Sequence, residues 1–229
     1  MPTDSILLPT PSRLIALALL SGLCHGSASP SFLSRCNAQE TVAESKSDAA
    51  DKATQPVTIA GRTVGQYAQM LDSDNRVVRL RAVKSLGAFG ESAGETLTAA
   101  LVHDDRAVAY AAAVHLGRIG GKPLQSAVEP LTRMVENKES LALRMASAFA
   151  LCRAGQMDQR LKVLTDTLTY PDRGTVCSAA ELIGMLGTDA AAAIEPLETT
   201  AAKNDPAKRN GDYHMGGAAL NALRKIRGE

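Results

Sequence analysis

LDSDNRVVRLRAVKSLGAFG (residues 71–90) and LVHDDRAVAYAAAVHLGRIG (101–120) align at an offset of thirty residues without a gap. Leu, Asp, Val, Ala, Leu-Gly and a closing Gly stand at matching places. The apolar quartet Val78, Ala82, Leu86, Phe89 returns as Val108, Ala112, Leu116, Ile119 and as Leu143, Ser147, Leu151, Ala154. It returns twice more as Thr175, Ala179, Ile183, Leu186 and as Met215, Ala219, Leu223, Ile226. Each quartet is spaced 4, 4, 3, which keeps four side chains on one stripe of a 3.6-residue helix, whereas a strand would alternate. One residue past the first four quartets stand Gly90, Gly120, Gly155 and Gly187, and Gly228 follows the fifth after Arg227. A left-handed helix cap costs an achiral residue least. Asp74, Asp104, Asp172 and Asp212 precede the quartets, where a carboxylate can accept from the unpaired amides of a first turn.

Shorter second helices are expected over 91–101, 123–135, 157–168 and 190–202. Two of them share a signature, AVEPL at 127–131 and AIEPL at 193–197, and their Pro130 and Pro196 should start or kink the helix. Residues 57–70 supply a half-repeat, helical from Thr63 to Leu71. One helical pair cannot bury its stripe alone, but stacked pairs bury a continuous core. The expected fold is therefore all-α, an α-solenoid of about five hairpins. Composition agrees: 38 alanines and 3% aromatic residues suit a core in which helices approach closely.

The order Asp74, Val78-Arg79, Ala82, Leu86-Gly87 resembles the HEAT-like repeat family, including its phycobilisome-lyase-type members, over residues 57–229. Tetratricopeptide repeats would want a strict 34-residue period and aromatic anchors; here the quartets are 30, 35, 32 and 40 residues apart and Trp is absent. The family's Arg stands at Arg79 and Arg144, whereas Ala109, Val176 and Gly216 replace it in the other repeats. A continuous Arg-Asp ladder is accordingly not expected. The resemblance implies a protein-binding scaffold, and it also admits chromophore-lyase-like activity or service as an accessory module to a secreted hydrolase.

Ahead of the repeats, Arg13 precedes the apolar run Leu14–Leu23, and small residues follow it. This is the order of a secretory signal peptide, and a ten-residue stretch falls short of the ~20 residues needed to span a bilayer. Cleavage is expected after Ala28 or, preferably, after Ala38, giving a signal peptide of 1–38. Residues 39–56 have too little apolar surface to offset ordering entropy and read as a flexible spacer before the repeat domain of 57–229. The expected location is the periplasm or the cell exterior, with no membrane span after processing.

A net charge of +1 and seven aromatic residues argue against a nucleic-acid partner. No HExxH or CxxC occurs, and GRIGGKP (117–123) has Leu116 and Pro123 where a phosphate loop needs Gly and Ser or Thr. His103, in a turn, and His115, on a helix flank, read as solvated histidines rather than metal ligands. Cys152 and Cys177 differ by seven residues in repeat register, about 10 Å along a helix, so two free, largely buried thiols are expected. No enzyme, cofactor or metal is expected. The expected partner is another protein, met by the outward flank of the second helices: Gln125, Glu129, Arg133, Arg160, Lys162, Asp166, Glu195 and Glu198. The insertion 203–211, with Arg209 and the following Tyr213 and His214, is a further candidate, against the plainer reading of a mobile loop with Asp212 as a cap.

Overall fold

The structure, a computed structural model, describes residues 56–229; the expected signal peptide and all but the last residue of the spacer lie outside the described residues. Among the described residues every regular element is helical. The helices are α1 (Val64–Leu71), α2 (Arg76–Ala88), α3 (Gly94–Ala99), α4 (Arg106–Ile119), α5 (Gly121–Ser126) and α6 (Val128–Glu136). They continue as α7 (Leu141–Arg153), α8 (Met157–Thr167), α9 (Arg173–Leu186), α10 (Ile194–Lys203) and α11 (Tyr213–Arg227). Each quartet lies on α2, α4, α7, α9 or α11 or just past its last turn, and these five helices pack in succession. The remaining helices form a second layer, with α3 against α5 and α8 against the 3-10 turn Gly187–Ala193. The stacked hairpins make an α-solenoid.

The stripe is the core. Ala82, Leu86, Val108, Ala112, Leu116, Leu151, Ala179, Ile183 and Ala219 are all buried. Ser147, the one hydroxyl on the stripe's third copy, donates to the Leu143 carbonyl at 2.8 Å and leaves no orphan polar group. At the amino-terminal end α1 closes the stack. Thr63 and Gln66 form a capping box, and Tyr67 meets Phe89 edge-on at 5.9 Å while its hydroxyl donates to the Ile59 carbonyl.

The helix ends follow local chemistry. Gly90, Gly120, Gly155, Gly187 and Gly228 all have positive φ, as their positions past the quartets predict. Asp172 and Asp212 cap α9 and α11 as expected. The caps of α2 and α4 correct the sequence reading by one residue: Asn75 and Asp105 accept from the amides of Val77 and Ala107, in place of Asp74 and Asp104. A cap must reach an amide two or three residues on, and with helices starting at Arg76 and Arg106 only these residues do so. The second helices are also more broken than expected. The 91–101 segment is a 3-10 turn, the six-residue α3 and another 3-10 turn, while 123–135 divides into α5 and α6. Pro130 and Pro196 are each the third residue of a new helix. A proline there has no amide for the carbonyl four residues back, so the helix restarts at Val128 and at Ile194.

The glycines three residues before the caps Gly120 and Gly187 have a role of their own. A Cβ on Gly117 would lie 2.6 Å from Phe149 and 3.1 Å from the Ala150 Cα, and one on Gly184 would lie 3.0 Å from the Ala222 Cα. These glycines are where successive stripe helices touch. Arg173–Lys203 is long and apolar enough by composition to cross a membrane, yet Gly187 and the non-helical Ala190 break it and its apolar residues serve the stack.

Candidate functional site

The second layer carries an open groove of about 730 Å³ between α3 and α5–α6. Its floor and walls include Gly94, Ala99, Val102, Pro123 and Pro130. Gly94 admits the neighbouring element, because a Cβ there would stand 2.6 Å from the Pro123 Cβ. Val102 is 80% exposed, a branched apolar side chain left to water at the end of the first hairpin. Charge divides by element: Glu91 and Glu95 come from the α3 side, Lys122 and Arg133 from the α5–α6 side. The groove can thus take an apolar side chain between an acidic and a basic border.

Of the residues expected to meet a partner, Arg133 lines this groove, and Gln125 and Glu129 lie exposed on the same α5–α6 segment. Arg160 (half-buried), Lys162 and Asp166 sit on α8, and Glu195 and Glu198 on α10. Several are engaged with each other or with neighbours. Glu129 pairs with Arg133 at 3.6 Å, Lys162 with Asp166 at 2.7 Å, and Glu198 with Arg227, while Arg160 donates to Gln156. The groove's acidic border and Val102 were missed in the sequence, although Val102 breaks the polar run that otherwise follows Leu101.

A second network joins repeats at their amino-terminal edge. Arg79 donates to Asp105 at 2.7 and 3.2 Å and to the carbonyls of Ser73 and Asp74. These bonds from Arg79, with the amide of Ala107 and the charge of Arg76, hold the Asp105 carboxyl below the usual carboxylate range against the opposing effect of burial. Arg76, Arg106 and Arg173, each the first residue of its helix, reach Asp105, Glu139 and Asp212 of the following repeat at 3.5, 3.5 and 2.7 Å. An interrupted ladder therefore exists, built mainly from helix-first arginines rather than from the position of Arg79 and Arg144. The two histidines correct their reading as solvated side chains. His103 accepts from the Asp105 amide through Nδ1 at 2.8 Å, which leaves Nε2–H to donate to the Leu71 carbonyl at 3.1 Å. His115 is half-buried against Gly87, whose missing Cβ would lie 2.1 Å from its Nδ1.

At the carboxyl-terminal end the 203–211 segment folds on itself. Buried Asn204 donates to Thr200, Asp205 accepts from Ala207, and a Cβ on Gly211 would meet the Asp205 carbonyl at 1.8 Å. Asp212 accepts from the amides of Met215 and His214 and pairs with Arg173, and these contacts hold its carboxyl below the usual range. Tyr213, 71% exposed, packs edge-on to His214 at 5.7 Å and borders a cleft of about 370 Å³ with Leu220. Arg209 is exposed on the loop. The second-layer candidates and this loop thus fall on different elements rather than in one constellation.

Cys152 is buried and Cys177 half-buried, and both are free thiols. Burial pushes the Cys152 thiol up to about 12. Among the described residues no group of three His, Cys, Asp or Glu side chains is placed to hold a metal ion.

Stacked helical hairpins with capped, glycine-punctuated stripes define an α-solenoid of the repeat type. Residues 67–152 match the HEAT repeats family. Among solved structures, an engineered protein is similar at 20% identity and a TM-score of 0.45, covering 71% of this chain and 78% of its own. The complex of CpcE and CpcF of phycocyanin lyase from Nostoc sp. PCC7120 is similar at 20% identity and a TM-score of 0.44, covering 79% of this chain and 71% of that one. A designed armadillo repeat protein follows at 14% identity and a TM-score of 0.34, covering 71% of this chain and 99% of its own. No curated protein sequence matches the chain.

Proposed function

We propose that the chain is a non-enzymatic scaffold that binds another protein through its second-helix layer and works outside the cytoplasm. The observation that carries this reading is the groove between α3 and α5–α6, apolar inside and bordered by opposite charges. An open groove on a repeat scaffold suits a peptide segment better than it suits catalysis, which prefers an enclosed, water-excluding site. The segment it fits carries an apolar anchor, a basic residue toward Glu91 and Glu95, and an acidic residue toward Lys122. Export rests on the leader-like order of residues 1–38.

Selection of a displayed random-peptide library on the full chain tests the binding mode. Enriched peptides should share the apolar anchor and flanking charges, and Val102→Asp should lower their affinity by about tenfold or more through a buried, unpaired charge. Enrichment that is indifferent to Val102→Asp and to Glu95→Lys would reject the groove. For export, the amino terminus of the protein isolated from the cell envelope should begin at Ser29 or Gln39.

A further inference from the structure

On the stripe-helix side, away from the groove just described, α2 and α4 enclose a cleft of about 310 Å³ lined by Lys84, Gly87, Ala88, His115, Arg118 and Ile119. Its polar groups are all basic, and among the described residues no carboxylate lines it. Neither Lys84 nor Arg118 forms an ion pair with any described residue, although most other arginines at repeat junctions do. The His115 ring in the cleft wall packs directly on Gly87, where an added Cβ would overlap the Nδ1. Arg118 lies in the last turn of α4 and opposes that helix's dipole, but no basic residue lies in the last turn of α2 and Lys84 has no such duty. Two cations and an imidazole around one notch, without a counter-charge, form a site for an anion.

We infer that the cleft between α2 and α4 binds a phosphate-class oxyanion, held by Lys84 and Arg118 and by His115 as a proton-dependent third donor. The charged groups facing the ring are Lys84 from α2 and Arg118 from its own helix, and Arg153 of α7 lies on the adjoining turn, where its Nε donates to the Gly117 carbonyl at 3.4 Å. With the site empty, desolvation first and then the charges of Arg118 and Lys84 lower the histidine's pKa from its ordinary 6.5, which disfavours the protonated ring. A dianion reverses the electrostatic part, and the ring takes up a proton as the anion binds. Affinity should therefore rise as pH falls through the titration of His115.

The test follows the His115 ring by NMR in the full chain while inorganic phosphate is added, with sodium chloride at matched ionic strength as the screening control. Phosphate should raise the His115 titration midpoint well beyond the chloride control. Lys84→Gln and Arg118→Gln should each weaken binding about tenfold, as loss of one charge-assisted hydrogen bond does. Both variants remove exposed side chains, so unchanged circular dichroism should accompany the loss. A parallel arm with vesicles of phosphatidylcholine and phosphatidic acid separates a free anion from a lipid headgroup: a shift with vesicles alone assigns the site to the headgroup. Equal His115 midpoints in phosphate, vesicles and chloride would overturn the proposal, as would binding that the Lys84 and Arg118 substitutions leave intact.

Discussion

Asp105 concentrates several roles in one side chain: it caps α4, accepts from Arg79, and receives Arg76 across the repeat junction. Asp105→Asn keeps an acceptor for the cap and loses the carboxylate, whereas Asp105→Ala loses both. We predict a cost of about 2–3 kcal/mol for the alanine and about half of that for the asparagine in urea unfolding; equal costs would mean that the cap acceptor contributes nothing, and an asparagine as stable as the parent that the charge contributes nothing. The acid side of the stability profile should show two steps. His115 is depressed in the fold, so its contribution is full above the unfolded value near 6.5 and declines as pH falls through it. Asp105 is also depressed, but it contributes above an unfolded value near 3.8 and is lost as pH falls through its lower folded value. His115→Gln should erase the first step and leave the second, measured as urea midpoints across pH. At the edge of the fold, Ala60 holds φ 48 beside Gly61 at φ 73 in the tight turn between Ile59 and Arg62. Ala60→Gly should stabilise by about 0.5–1 kcal/mol, since a Cβ is penalised in the left-handed region.

Between helices, the contact points are glycines, and their surroundings rank them. Gly184→Ala presses a methyl on the Ala222 backbone and should cost about 1–3 kcal/mol. Gly217→Ala, on α11 with nothing within 4 Å, should stabilise by up to about 1 kcal/mol. Thermal melts of the two variants moving the same way would contradict the assigned junction. The stripe helices and their glycine caps were legible because a 4, 4, 3 spacing and an achiral stop are local signals. The second helices were legible only in outline. Their breaks at Ala127 and Ala193 depend on where the missing amides of Pro130 and Pro196 fall relative to a helix start, which the prolines allow but do not fix. The caps slipped by one residue at Asn75 and Asp105 because Asp74 and Asp104 are equally competent acceptors, and only the His103 bond to the Asp105 amide and the position of Arg76 choose between neighbours. The groove was half legible: Arg133 faces it, but Val102, Glu91 and Glu95 enter it through the packing of α3 on α5, a contact between repeats that one repeat's pattern cannot show.

For the whole domain, the physical content of the solenoid is that each hairpin buries its stripe on the next. α7, in the middle, is buried almost throughout from Leu143 to Cys152, while α11 keeps Leu220 open to water. Cys152 should accordingly resist alkylation in the native protein and react on unfolding, whereas half-buried Cys177 should react earlier in urea; simultaneous reaction would imply one all-or-none unit. The central claim is tested most directly by native-state hydrogen exchange of Leu116→Ala, with Glu129→Ala as its exposed counterpart. Removing this fully buried side chain should cost about 2–5 kcal/mol, against a few tenths for Glu129. Amide protection should fall most in α4 and in its neighbours α2 and α7, and stay near its original level in α11. Equal costs for the two variants, or a loss of protection spread evenly from α1 to α11, would contradict a stack held together by nearest-neighbour stripes.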